Sequence, residues 1–179
     1  GLTQLSTGSY TFDNITTTSY GYFDIPSGAT ATLIDSLDGD ATGYTQLSGG
    51  VLSLPSDPFT LSSKLLYVSG TLSAHSLVVA DTGIFESRTT NTISFTNLTI
   101  QSGGNVTHSG NGSSALYKAI LNISGNLTVD SGGTIDVNAK GYTGNYGTGA
   151  GGIYNDGWGG GGASYGGAGA SNTTGTTYG

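Results

Sequence analysis

Apolar and polar residues alternate along much of this chain. In "AILNISGNLTVDSGGTIDV" apolar and small polar residues take turns, and only Ser-Gly or Gly-Gly pairs interrupt them. A period of two sends successive side chains to opposite faces of an extended strand, whereas an amphipathic helix needs apolar residues at i, i+3, i+4 and i+7. The same texture runs through "YTFDNIT", "GYFDIPSGATATLI", "GGVLSLP", "SKLLYVSGTLSAHSLVVADTG" and "TISFTNLTIQSGGNVTH". Residues 1–140 therefore read as short strands joined by Gly-rich turns, with no helix.

The segments also resemble one another. "FDIPSGATATL", "LYVSGTLSAHS", "LTIQSGGNVTH" and "LTVDSGGTIDV" share an apolar-x-apolar core, a Gly turn and a second short strand. Their turn glycines, Gly28, Gly70, Gly83, Gly103 and Gly132, are 42, 13, 20 and 29 residues apart. That is too irregular for a propeller or a leucine-rich array, but it suits a parallel β-helix (β-solenoid), whose loops vary between coils. Coils of about 20–25 residues predict about six of them in residues 1–140. The alternative is an antiparallel β-sandwich, which also has closely spaced short strands. Parity predicts Leu98, Ile100, Leu127, Val129, Ile135 and Val137 stacked inside the coils, with Thr99 and Thr128 outside.

The motifs "LTIQSGGNV" and "LTVDSGGTIDVNAKGYTG", with the later "GGGGASYGGAG", resemble secreted Gly/Ser/Thr-rich parallel β-helix surface proteins, among them adhesins and glycan-coated fibril subunits. The resemblance covers about residues 95–170 well and the N-terminal third loosely. It implies an extracellular or cell-surface location, and it marks a fold more than an activity.

Composition changes near 141. Residues 141–179 hold 16 Gly, a single charge (Asp156) and six aromatics: Tyr142, Tyr146, Tyr154, Trp158, Tyr165 and Tyr178. A flexible linker explains the glycines but has little use for the rings, each of which can bury a large area. The expected organisation is a solenoid domain over 1–140 and a Gly/Tyr-rich C-terminal arm or cap over 141–179.

Only 8 % of residues are charged, against about 25 % in an ordinary domain. The surface is instead hydroxyl-rich, with 50 Ser and Thr. A net charge of −7, with three Lys and one Arg, excludes the basic footprint of a nucleic-acid binder. The absence of Cys rules out disulfides and thiolate chemistry. No run reaches the ~20 apolar residues of a membrane span. The opening Gly1-Leu2 carries no basic-apolar leader, as expected of a mature protein or a fragment.

Seven asparagines, Asn14, Asn97, Asn105, Asn111, Asn122, Asn126 and Asn172, begin Asn-x-Ser/Thr triplets without proline. If Leu98 and Ile100 point inward, Asn97 points outward, and the same parity puts Asn105 and Asn126 outside. These positions are expected to carry N-linked glycans; the competing reading is outward Asn that stack in ladders. Three carboxylates in "DSLDGDATG", Asp35, Asp38 and Asp40, could supply oxygen ligands to Ca²⁺, although their order departs from an EF-hand loop and a solvated turn uses the same residues.

Catalysis has little to stand on. A β-helix polysaccharide lyase needs clustered carboxylates with a basic residue or metal, and the bases are only Lys64, Arg88, Lys118 and Lys140. His75 and His108 lie in different repeats, and Asp130 and Asp136 flank a turn. No enzyme and no cofactor are expected. The sequence reads as a structural subunit of an extracellular, N-glycosylated fibril whose partner is itself, assembling head-to-tail through residues 1–12 and 141–179. An adhesin or carbohydrate-binding module of a larger surface protein is the alternative; a lyase ranks last.

Overall fold

The computed structural model describes residues 1–39, 42–62, 64–143 and 146. Among them there is no helix. The strands are, in chain order, β1 Leu2–Gln4, β2 Gly8–Thr17, β3 Tyr22–Pro26, β4 Ala29–Gly39, β5 Tyr44–Ser48, β6 Val51–Leu54, β7 Phe59–Ser62, β8 Leu65–Val68 and β9 Thr71–Ala74. They continue with β10 Ser76–Ala80, β11 Ile84–Ser87, β12 Ile93–Phe95, β13 Asn97–Ile100, β14 Asn105–His108, β15 Leu121–Ile123, β16 Leu127–Val129 and β17 Thr134–Ile135.

One face is a sheet in the order β1-β3-β5-β8-β11-β14-β17; a second is β2-β4-β6-β9, a third β7-β10-β13-β16, and β12 pairs with β15. Every strand ladder is parallel. The chain is thus a parallel β-solenoid, and the antiparallel sandwich is excluded. Leu2, Tyr22, Tyr44, Leu65, Ile84, Asn105 and Thr134 occupy one register column of the first face, with steps of 20, 22, 21, 19, 21 and 29 residues. The extra length of the last step lies between β14 and β15.

By its contacts the chain forms two units. The first, 1–109 with 117–137, holds all the strands; the second is 110–116 with 138–179. In the described part of the second unit, the Asn111 and Thr143 amides donate to the carbonyls of Lys140 and Gly112. Most of the expected arm, 141–179, lies outside the described residues.

Alternation builds the core. Ile25, Leu47, Leu66, Val68, Phe85 and Val106 of the first face meet Leu33, Leu52, Phe59, Leu61, Leu77, Val79, Leu98 and Ile100 in one apolar cluster. The expected Leu98 and Ile100 are fully buried, but the other four inward positions are not: Leu127 is 50 % exposed, Val129 47 %, Ile135 45 % and Val137 48 %. Leu127 and Val129 continue the rows of Leu98 and Ile100, and Ile135 continues that of Val106. Their parity is inward, yet they belong to the last described coil, and no further described coil stacks over them.

The irregular glycine spacing also resolves. Gly28, Gly50 and Gly70 follow strands of the first face, whereas Gly83, Gly104 and Gly133 precede them. These are two different corners of the solenoid: the first recurs over the coils of β3, β5 and β8, the second over those of β11, β14 and β17. Coils approach so closely there that a Cβ on Gly70 would lie 2.2 Å from the Gly50 carbonyl oxygen, and one on Gly104 2.2 Å from that of Val79.

Candidate functional site

The seven Asn triplets are not equivalent. A glycan attaches to the side-chain amide nitrogen, so what that atom already bonds decides what it can accept. Asn97, half-buried at the start of β13, donates Nδ2 to Ser76 Oγ at 3.2 Å, and its Oδ1 accepts from the Asn126 backbone N–H at 3.0 Å. Ser76, Asn97 and Asn126 thus form a ladder across three coils. Asn111 donates Nδ2 to the Lys140 carbonyl at 3.2 Å and accepts from the Leu116 amide. Asn14 and Asn105 use only Oδ1, as acceptors from Ser36 and Thr134. Asn122 and Asn126 have exposed side chains on the last coil. Asn172 lies outside the described residues.

Asp35 and Asp38 line an open groove of about 560 Å³ with Ser36, Ser56, Phe59, Thr60 and Ser62, and the buried Lys64 also borders it. The groove sits where β4 and β7 pack side by side without forming a ladder. Ser36 Oγ bridges Asn14 Oδ1 and Asp38 Oδ2. Asp40, the third proposed calcium ligand, lies outside the described residues. Among the described residues no three His, Asp or Glu side chains converge on a common point.

One grouping joins residues that the sequence kept apart. His75 Nε2 lies 3.7 Å from Asp57 Oδ2, and its Nδ1 lies 3.3 Å from Thr96 Oγ1. The order carboxylate, imidazole, hydroxyl is that of a nucleophile with its base. Here the carboxylate is beyond hydrogen-bond reach and the imidazole and carboxyl are about half exposed, so the line amounts to a loose surface contact. His108 sits elsewhere, with Nδ1 2.7 Å from the Ser109 carbonyl oxygen. Asp130 and Asp136 are exposed on either side of the turn before and after β17.

A feature of the outer first face escaped sequence reading. Tyr22 and Tyr44 stack with centroids 5.0 Å apart, Tyr67 follows at 4.9 Å from Tyr44, and Arg88 Cζ lies 3.3 Å from the Tyr67 ring centroid. Glu86 Oε1 accepts from Arg88 Nε at 2.8 Å and from Ser109. Burial pushes the Tyr67 pKa up, and the neighbouring Arg88 guanidinium offsets part of that rise. The signal was present as tyrosines recurring about once per coil. Tyr22 and Tyr44 lie almost parallel, each turning one face to the other.

The last coil presents Leu127, Val129, Ile135 and Val137. At the first coil, Thr3, Thr17 and Phe23 border a cavity of about 220 Å³, and Phe12 packs edge-on against Phe23 at 5.5 Å. No protein-family model, curated protein or solved structure matches this chain.

Proposed function

We propose that this protein is a structural subunit of an extracellular, N-glycosylated filament that assembles through the ends of its solenoid. The observation that carries this reading is the row Leu77, Leu98, Leu127: two members fully covered, the third half-exposed at an edge of the sheet among the described residues. An apolar row ending at an unpaired strand edge is a template for another chain. Outward sequons on the coil walls would then carry glycans that keep filaments from packing side by side. In this reading the chemistry is packing and sugar display. Electron microscopy and sedimentation of the purified glycoprotein across a concentration series test it: filaments with a concentration threshold support it, and monomers at every concentration sink it.

The groove between β4 and β7 favours a second reading, a carbohydrate-binding or adhesin module. Its hydroxyls and carboxylates are the groups that bind sugar hydroxyls. Sugar binding by single particles, lost in Asp38→Ala, would favour this alternative.

A further inference from the structure

The parallel ladders give the solenoid a direction. Among the described residues, β15, β16 and β17 are edge strands at one end, and β1 and β2 at the other. Two like ends brought face to face would run their strands antiparallel. Only the β15–β16–β17 end of one copy against the β1–β2 end of another continues every sheet in its own sense.

From this we infer that a second copy of this chain docks its first coil onto the last coil, in register, with Thr3 of one copy over Ile135 of the other. The inference rests on the filament reading and specifies its polarity and row alignment. The inward row of the first face reads Thr3, Phe23, Thr45, Leu66, Phe85, Val106, Ile135. It begins with a small side chain on the wall of a cavity of about 220 Å³ and ends with a half-exposed branched aliphatic one. Stacked end to end, the Ile135 side chain enters the space that Thr3 leaves. On the other faces, β15 and β16 meet the two halves of β2, whose Tyr10, Phe12 and Ile15 share inward rows with the buried Ala31, Leu33 and Leu37. On those two faces apolar therefore meets apolar. Asn122 and Asn126 point away from the axis, so glycans there leave the junction clear.

Two variants of the full chain separate the ends. Ile135→Asp blocks only the last coil and Thr3→Asp only the first. Each alone is expected to raise the assembly threshold at least tenfold, while a mixture of the two stops at dimers, because each supplies the end that the other lacks. Both positions are exposed enough to spare folding, which circular dichroism checks; Val129→Lys replaces Ile135→Asp if that chain fails to fold. Register is tested separately with Thr3→Cys and Ile135→Cys in one chain, which has no other cysteine. The two positions are six coil steps apart, roughly 29 Å at about 4.8 Å per step, far beyond an intramolecular disulfide. A ladder of reducible multimers is therefore expected on oxidation, and its absence overturns the register.

Other outcomes divide cleanly. A wild-type protein that never assembles defeats the filament reading and this inference together. Wild-type filaments that both Asp variants also form leave the filament reading standing and defeat the polarity. Dimers from Thr3→Asp alone would mean that like ends meet. A wild-type monomer that assembles only after loss of residues 147–179 defeats both as well, and gives the end to the chain's own tail.

Discussion

Leu98 and Leu127 are neighbours in one row, on adjacent coils, with the same inward parity, yet one is fully buried and the other half-exposed. Ile100 and Val129 repeat the contrast, as do Val106 and Ile135. In a solenoid, pointing inward is only half of burial. The side chain must also have a coil on both sides along the axis, because each coil contributes one thin layer of core. The alternation of the sequence decides the first condition locally. The second depends on position in the stack, and no local pattern records it.

The largest expected effect measures that difference directly. Truncating Leu98 to Ala removes a fully packed side chain and is expected to cost about 2–5 kcal/mol. Leu127→Ala, already half in water, should cost about 1 kcal/mol. Denaturant unfolding of both variants, at concentrations below any assembly threshold, reads the gap. Equal losses would mean that the last coil is covered in solution, and the contrast between the coils would vanish.

At the corner glycines the two coils should behave alike. A Cβ on Gly104 would lie 2.2 Å from the Val79 carbonyl oxygen, and one on Gly133 2.3 Å from that of Ile100. In each case the obstacle is the preceding coil, which the last coil also has. Both Gly104→Ala and Gly133→Ala are thus expected to cost about 1–3 kcal/mol through forced backbone shifts. A harmless Gly133→Ala beside a costly Gly104→Ala would show that the last coil is loosely held, and that its exposure reflects fraying instead of a missing neighbour.

These contrasts also mark how far the sequence could be read. Period-two alternation located the strands, and the Gly turns marked their ends, so the solenoid and its buried rows were legible. The turn glycines are erratic as a single series because they mark two corners; sorted by corner, Gly28, Gly50 and Gly70 recur at coil length, as do Gly83 and Gly104. Contacts between coils were harder. Asp57, His75 and Thr96 meet because the registers of β7, β10 and β13 put them in one column, at steps of 18 and 21 residues; the step varies with loop length, so alternation within a strand does not reveal which side chains meet across coils. The amide ladder of Asn97 matches the competing reading of outward asparagines stacked in ladders, although only the stacked neighbours Ser76 and Asn126 show what its amide bonds to.

That ladder yields a prediction on the same pair of coils. Asn97 commits its amide nitrogen to Ser76, while the side chain of Asn126, one step on, is exposed. Glycopeptide mass spectrometry should find higher occupancy at Asn122 and Asn126 than at Asn97, with Asn14 and Asn105 also modified. Asn111, bonded to the Lys140 carbonyl, should follow Asn97. Full occupancy at Asn97 with none at Asn126 would reverse the order and remove the amide ladder as its cause.

The smallest effect extends the two-neighbour rule to the outer face. Tyr67 has a ring on one side, Tyr44, and the Arg88 guanidinium on the other, with Glu86 nearby. Burial between them raises its pKa, and this outweighs the lowering by Arg88. A phenol whose folded pKa lies above its unfolded value of about 10 contributes stability that is intact below that pH. The contribution is lost as pH rises through the folded pKa, because the unfolded chain releases the proton first. Wild-type stability should therefore fall more steeply above about pH 10 than that of Tyr67→Phe, which keeps the ring and the cation–π contact but cannot ionise. Unfolding midpoints of the two proteins between about pH 8 and 11 isolate the effect from the other tyrosines, which both share. A constant difference across that range would mean that the two neighbours do not shield Tyr67, and that on the outer face, unlike the core, an interior coil offers no more cover than the last one.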